Sequence, residues 1–429
     1  MESCLVRSFL SISPESHFSL QNLPFGIFRS DEKQEPRPGV AIGEYVLDLR
    51  VVAEAGLFSG PLLSGSDCFK QISLNSFMAL GRPAWKEARN TIQRLLSEDE
   101  PTLQNNYSLR KKALVPMSEV KLELPAVIGD YSDFFSSKDH VMTCGTIYRG
   151  EDYRIPPNWL YLPIAYHGRS SSIVVSGTDI IRPWGQTGPP NSTSPPEFKP
   201  SNRVDFELEM AMFVGPGNDL GTRVSIHDAA DHIFGLVLMN DWSARDIQKW
   251  ESSPLGPFLG KSFGTTISPW IVTLEALEPF ICEAPVQDPA PPPYLEELGR
   301  KTYDIPLQVS IFPEGAKAAS VVCQSNFKYL YWTLSQQLAH HTVNGCNLKP
   351  GDLLASGTIS GPILGSNGSM LELSWNGQKD LKLANGDSRK FLEDNDDVII
   401  TASCQGDGFV VGFGTCSGKV FPARYGKAL

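Results

Sequence analysis

Hydrophobic and polar residues alternate along several short stretches of this chain, and that alternation predicts strands. "FGIFRS", "GVAIG" and "YVLDL" fall within residues 20–50, separated by turn residues. The period then changes. In "AWKEARNTIQRLLSEDE", Trp85, Ala88, Ile92 and Leu95 recur at helical spacing, which predicts an amphipathic helix. "NNYSLRKKALVPMSEVKLELP" reads as a connector, and a domain boundary is placed near 120–128. Strands dominate beyond it: "SSIVVSG", "VDFELEMAMFVG", "IFGLVLMND", "PWIVTLEAL", "IPLQVSIF", "DDVIITASCQG" and "FVVGFG". One helix, "SNFKYLYWTLSQQLAHHTVNG", interrupts them, with Phe327, Leu330, Leu334, Leu338 and His341 on one face and Gly345 as its stop. "GQTGPPNSTSPPEFKPSN" and "CEAPVQDPAPPPYLEELG" read as proline-rich surface loops. Many short strands between glycine and proline turns predict a mainly β chain, a roll or a sandwich.

One strand carries too many acids. In "VDFELEMAMFVG", Asp205, Glu207 and Glu209 alternate with Phe206, Leu208, Met210 and Met212. Residues two apart in a strand share a face, so these carboxylates converge. Buried unpaired like charges are costly. A hard dication such as Mg²⁺ or Ca²⁺ offsets that cost through oxygen ligands. The polar face of an ordinary amphipathic strand fits the pattern equally well. Further acids lie in "GDYSDFFSSKDH", at Asp130 and Asp133, and at the end of the apolar run in "GLVLMNDWSARD", at Asp241. Asp241 suits a ligand at a strand mouth or an N-cap for "WSARDIQKW". In that segment Arg245 and Gln248 are three apart on one helical face, as donors for an anionic or carbonyl oxygen. "GPFLGKS" has three residues between its glycines instead of the four of a phosphate-binding loop. Lys261, flanked by Phe258, Leu259 and Phe263, reads instead as a fixed positive charge in an acidic pocket.

Length and composition narrow the classes. A chain of 429 residues suggests two or three domains, and 41% hydrophobic residues suffice for a large core. The net charge of -11 argues against a general nucleic-acid or anionic-membrane binder. No run of about 18 apolar residues occurs, so no transmembrane helix is expected. Neither a secretory signal nor a peroxisomal tripeptide is expected from "MESCLVRSFLSISPES" and "GKAL". The eight cysteines are scattered, as expected of reduced buried thiols. Of the seven histidines, His140 reads as part of a polar loop, His167 as a turn residue, and His340 and His341 as packed on the long helix. No G-x-S-x-G and no H-E-x-x-H motif is present. A water nucleophile activated by a histidine remains.

Six long segments, "IGDYSDFFSSKDH", "LPIAYHGRSSSIVVSG", "FELEMAMFVGPGN", "HIFGLVLMNDWSARDIQKWE", "PLGPFLGKSFGTTISPW" and "VNGCNLKPGDLLASGTISG", together resemble the fumarylacetoacetase family. The resemblance runs from about residue 20 to the C-terminus. It implies a small N-terminal SH3-like barrel over residues 1–125 and a large C-terminal β-roll over residues 126–429, in a cytoplasmic homodimer. It implies a Mg²⁺ or Ca²⁺ ion held by Asp133, Glu207, Glu209 and Asp241, with Lys261 and Thr265 beside it and Asp205 outside its ligands. His140 is then the general base, oriented by Glu372 in "SMLELSW". Arg245, Gln248 and Lys261 form the oxyanion pocket. Arg149, Tyr166, Gln248 and Thr358 contact substrate. Phe135 and Ser252 occupy substrate positions where animal members of the family carry tyrosines. The implied reaction is hydrolysis of a carbon–carbon bond of 4-fumarylacetoacetate, a small diketo diacid, to fumarate and acetoacetate, the last step of tyrosine degradation. The alternatives are a related decarboxylase or hydratase acting on another oxo-acid, and a non-catalytic Ca²⁺-binding β-domain.

Overall fold

The computed structural model describes residues 6–189, 191 and 193–424; Cys4 and the terminal "GKAL" lie outside them. The first sheet is antiparallel, in the order Leu114–Pro116, Tyr45–Asp48, Arg37–Ile42, Phe25–Ser30, Val120–Glu123. It curls into a small barrel-like unit because both faces of its strands are apolar. Phe25 and Ile27 face a core with Ile92 and Leu95, while Phe28 packs with Trp270 on the other side. The stretch read as a connector therefore belongs to this unit. It contains the helix Tyr107–Ala113, capped by Asn106, and the two outer strands. Its elements are three to seven residues long, too short to display a period.

The expected helix runs from Arg82 to Leu96 and buries Trp85, Ala88, Ile92 and Leu95. It does not pack within the first unit alone. Trp85 and Phe77 both meet Phe234 of the central sheet edge-on, with centroids 5.1 and 5.6 Å apart. Burying one large aromatic contributes on the order of 2–3 kcal/mol, so this seam ties the N-terminal unit to the back of the central sheet.

The central sheet runs Ala165–His167, Tyr131–Phe134, Leu353–Ala355, Leu208–Val214, Ile233–Asp241, Thr265–Ile267, Ile173–Val175. Period two is visible in its middle strand. Leu208, Met210, Met212 and Val214 face one core, and Ala211 and Phe213 face the other. The first of these cores is closed by a second five-stranded sheet, Ser320–Asn326, Pro306–Phe312, Asp397–Gln405, Val410–Phe421, Ile180–Ile181. This pair of sheets is the curled β body of the C-terminal part.

Several expectations change. The strand beginning at Val204 breaks at Phe206, leaving Val204–Asp205 paired with Ser243–Ala244. The long helix is shorter than expected, Leu334–Thr342, because Thr333 caps it with a reciprocal Gln336 bond; Phe327 lies in a separate turn, Phe327–Tyr329. Gly345 does supply the left-handed residue after it, at φ 87°. "PWIVTLEAL" gives a two-residue strand, Val272–Thr273, and the helix Leu274–Leu277. The first proline-rich loop contains a hairpin, Trp184–Thr187 with Glu197–Pro200. No described helix is long and apolar enough to cross a membrane.

Candidate active site

Three strands of the central sheet bring carboxylates to one place. Asp133 comes from Tyr131–Phe134, Glu209 from the start of Leu208–Val214 with Glu207 just before it, and Asp241 is the last residue of Ile233–Asp241. Asp241 therefore closes a strand and does not cap the helix Arg245–Glu251, whose N-cap is Ala244. Each carboxylate offers an oxygen, and these four atoms lie within 4.8 Å of one another. All four residues are buried. Asp205, displaced by the break at Phe206, instead accepts from Arg245 Nε at 2.8 Å and from the backbone of Met370 and Leu371.

Local cations offset only part of this charge. Lys261 Nζ donates to Glu207 Oε2, and to Asp241 Oδ2 at 2.6 Å. Arg245 Nη1 lies 2.8 Å from Glu207 Oε1. Thr265 Oγ1 and Tyr166 Oη donate to Asp241 at 3.0 and 3.1 Å. Glu207 is thus well supplied: burial pushes its carboxyl up, but Lys261 and Arg245 prevail and hold it at about 2. Asp133 and Glu209 go the other way. Burial, reinforced by the neighbouring carboxylates, pushes both well above the usual carboxylate range. Both oxygens of Glu209 and Oδ1 of Asp133 are buried without a hydrogen-bond partner among the described residues. Orphaned buried oxygens converging from rigid strands fit a hard divalent cation, which prefers clustered oxygen donors. Lys261 and Thr265 stand behind this cluster. An ammonium has no lone pair to offer, so Lys261 holds two of the carboxylates and is not itself a ligand.

His140 lies on the helix Lys138–Arg149, not in a loop; Ser137 caps that helix by accepting from His140 N at 3.2 Å. Few apolar residues mark this helix, which is why its period was obscure. His140 Nδ1 lies 2.8 Å from Glu372 Oε2, on the short helix Met370–Leu373. Glu372 also accepts from Ser360 and Ser369 hydroxyls at 2.8–2.9 Å. Burial lowers the His140 imidazolium, yet Cys144 and Glu372 beside it outweigh burial and raise it well above the usual histidine value. Phe135 meets the ring edge-on, with centroids 5.4 Å apart.

A cavity of about 760 Å³ joins these groups. Asp133, Glu207, Glu209, His140, Arg245 and Lys261 line it, and so do Phe135, Arg149, Tyr166, Gln248, Ser252 and Thr358. Asp241 and Thr265 line a smaller cavity of about 250 Å³ behind, with Tyr166 and Lys261 common to both. Glu372 sits behind His140 and reaches the cavity only through it. His167 ends the strand Ala165–His167 and is not a turn residue. His341 bonds Ser132 and His340 bonds Tyr294, both away from the main cavity. Cys144, Tyr148 and Lys249 also line the main cavity and were not anticipated. His140, Cys144 and Tyr148 are spaced four apart on one helix face, a signal available once Ser137 is recognised as a cap.

Comparison with known proteins agrees with this arrangement. The family described as fumarylacetoacetase N-terminal matches residues 21–125, and that described as fumarylacetoacetate (FAA) hydrolase C-terminal matches residues 131–421. The chain is 61% identical to the fumarylacetoacetase of Oryza sativa subsp. japonica, across 97% of this chain and 98% of that protein. It is 61% identical to the fumarylacetoacetase of Arabidopsis thaliana, across 98% and 99%. A solved fumarylacetoacetate hydrolase from the psychrophilic Exiguobacterium antarcticum, 18% identical, superposes with a TM-score of 0.51 over 94% of this chain and all of that one, which shows the shared fold. Matches over both halves, at such identity and coverage, establish that the chain belongs to the fumarylacetoacetase family.

Proposed function

We propose that this enzyme hydrolyses the carbon–carbon bond of 4-fumarylacetoacetate to give fumarate and acetoacetate, as the names of its relatives suggest. One observation carries the reading. A carboxylate cluster with orphaned oxygens and a buried His–Glu pair open onto the same cavity. A passive Ca²⁺ domain has no use for the second feature.

A carbon–carbon bond of a β-diketone breaks when the departing carbanion is delocalised as an enolate. Asp133, Glu207, Glu209 and Asp241 would hold the divalent ion, Mg²⁺ or Ca²⁺. When bound, it supplies Lewis acidity that favours negative charge on the diketone oxygens. The remaining work falls to the chain's own groups. Glu372 accepts from Nδ1 of His140, which leaves Nε2 as the atom that takes a proton from water. The resulting imidazolium is stabilised by the same carboxylate. Arg245 Nη2 is enclosed and has no partner among the described residues, and Gln248 accepts from Arg245 Nη1 at 3.3 Å, which directs its amide nitrogen elsewhere. These donors, with Lys261, would stabilise the oxygen that becomes negative when water adds to the carbonyl. Arg149, at the exposed rim over the Tyr153 ring, and the hydroxyls of Tyr166 and Thr358 line the cavity and would contact the substrate's carboxylate and carbonyl oxygens. Phe135 and Ser252 line the same cavity without a phenolic hydroxyl. Positive groups around the cavity allow a chain of net charge -11 to accept a dianion.

The family resemblance also supports a place in tyrosine degradation, a homodimer and a cytoplasmic location. Light scattering of the purified chain checks the dimer. Turnover of 4-fumarylacetoacetate, followed as loss of diketone absorbance, checks the activity; an inactive protein with its cation bound would overturn it.

A further inference from the structure

The His140–Glu372 pair is closed into a ring by a serine that belongs to neither of their helices. Ser360 is fully buried and lies outside the lining of the main cavity. Its hydroxyl accepts from Gly368 N at 2.9 Å. Its one proton is then left for Glu372, whose two oxygens both lie 2.9 Å away. The Ser360 carbonyl accepts from Ser137 Oγ at 3.0 Å. Ser137 in turn caps the helix Lys138–Arg149 by accepting from His140 N at 3.2 Å. The bonds thus run from His140 through Ser137 to Ser360, on to Glu372, and back to His140 Nδ1 at 2.8 Å. The other donors to Glu372 are local to its own segment. Ser369 Oγ, at 2.8 Å, is the N-cap of the short helix that carries Glu372, and Asn367 Nδ2 stands at 3.3 Å. Among the described residues, Ser360 alone bonds both to Glu372 and to the cap of the His140 helix.

We infer that Ser360 is a positioning residue for the base: its hydroxyl aims the Glu372 carboxylate, and its carbonyl fixes, through Ser137, the helix that presents His140. That His140 is a base rests on the function proposed above; the ring of contacts does not. The hydroxyl also competes with the imidazole for the carboxylate's charge. Burial lowers the His140 imidazolium, and Cys144 and Glu372 more than reverse that. A donor from Ser360 moderates the pull of Glu372, because a hydrogen bond to a carboxylate stabilises its charge without a proton from His140. Without Ser360 Oγ, Ser369 still holds Oε2, the oxygen that meets Nδ1. The carboxylate then stays beside the ring with more of its charge free, and His140 keeps its proton to higher pH. The other groups around the pair are unchanged by this loss. Cys144 on the same helix and Glu207 from the central sheet act on the ring, Arg245 acts on Cys144, and Asp139 and Cys323 face Glu372.

The test uses the full-length protein loaded with Mg²⁺ and carrying isotopically labelled histidine, with the His140 ring signal assigned by its loss in His140→Ala. The ring is titrated by NMR, and kcat and KM for 4-fumarylacetoacetate are measured against pH on the same proteins. In Ser360→Ala the ring should hold its proton to a pH higher by about half a unit or more, since a hydrogen bond to a charged group is lost. The plateau of kcat should fall by about tenfold, part of what a general base contributes. KM should stay within about twofold, because Ser360 does not line the cavity. In Glu372→Gln protein, adding Ser360→Ala should move the titration no further. Ser360→Cys keeps the size and weakens the donor, so its titration should fall between serine and alanine. It decides the question alone if the alanine variant does not fold. A titration that is unmoved or lowered in the folded variants, or that moves equally with and without the Glu372 carboxylate, would overturn the inference. Absence of turnover in the unsubstituted protein would overturn the proposed function, while the ring titration would still decide the role of Ser360.

Discussion

The two halves of the site are built on opposite electrostatic terms. In the His140–Glu372 half, the Glu372 carboxylate is met by imidazole and two hydroxyls, and the ring is held between it and Phe135. In the carboxylate half, Glu207 is answered by Lys261 and Arg245, but Glu209 and one oxygen of Asp133 are answered by nothing in the described protein. Both halves are buried, so solvation does not separate them. The first is preorganised by protein groups alone. The second leaves carboxylate charge unanswered, and buried carboxylates this close either take up protons or hold a cation. Mutations should therefore uncouple the halves: one set removes cation binding, the other removes proton transfer and leaves the cation in place.

The largest effect is expected from Asp241→Ala. It deletes one carboxylate of the cluster and the shared acceptor of Lys261, Thr265 and Tyr166. Turnover should fall by about 10³-fold or more, since Lewis-acid stabilisation worth several kcal/mol is lost. Calorimetric titration should show Mg²⁺ or Ca²⁺ binding weakened in parallel; intact binding would break the comparison. His140→Ala should lower kcat by about 10²–10⁴-fold with cation affinity unchanged in the same titration. The double variant with Glu372→Gln should be little worse than His140→Ala, because groups acting as a unit are non-additive. Multiplicative losses would separate the two residues.

A smaller effect concerns pH. The His140 imidazolium is raised, and the base must be neutral, so activity should appear as pH rises through that raised value. Glu372→Gln removes a charge that favours the imidazolium. The acid limb of the kcat profile should therefore move to lower pH, while the plateau falls by about tenfold as tautomer control weakens. An unmoved limb would assign the shift to another group.

The smallest effect is on stability. With the cation stripped, Asp133 and Glu209 have folded-state values above their unfolded ones. The folded protein then holds extra protons, and that contribution is full in acid and lost as pH rises through the folded values. Stripped protein should melt earlier at mildly alkaline than at mildly acidic pH. Added Mg²⁺ should narrow the gap, and Glu209→Gln should shrink it without metal. Glu207, held at about 2, contributes nothing to this window.

How much of this was legible differs between the same two halves. The acids announced themselves, because period two places Glu207 and Glu209 on one face and an apolar run delivers Asp241 to its mouth. The break at Phe206, which removes Asp205 to Arg245, left no trace in that alternation. The base half is nearly silent to spacing. His140 and Glu372 are brought together only by tertiary packing, and their pairing came from the family resemblance. The His140 helix hid because its exposed and pocket-facing residues break the apolar stripe, and Cys144 was missed with it. In the fold, the strongly periodic helix Arg82–Leu96 was plain, whereas strands of three or four residues near 114–123 were read as a connector.

The most direct test of the cation claim is turnover of 4-fumarylacetoacetate by chelator-stripped protein as Mg²⁺ or Ca²⁺ is returned. Activity should be absent after stripping and should recover in step with cation binding measured on the same sample. Full activity in the stripped protein would contradict the account.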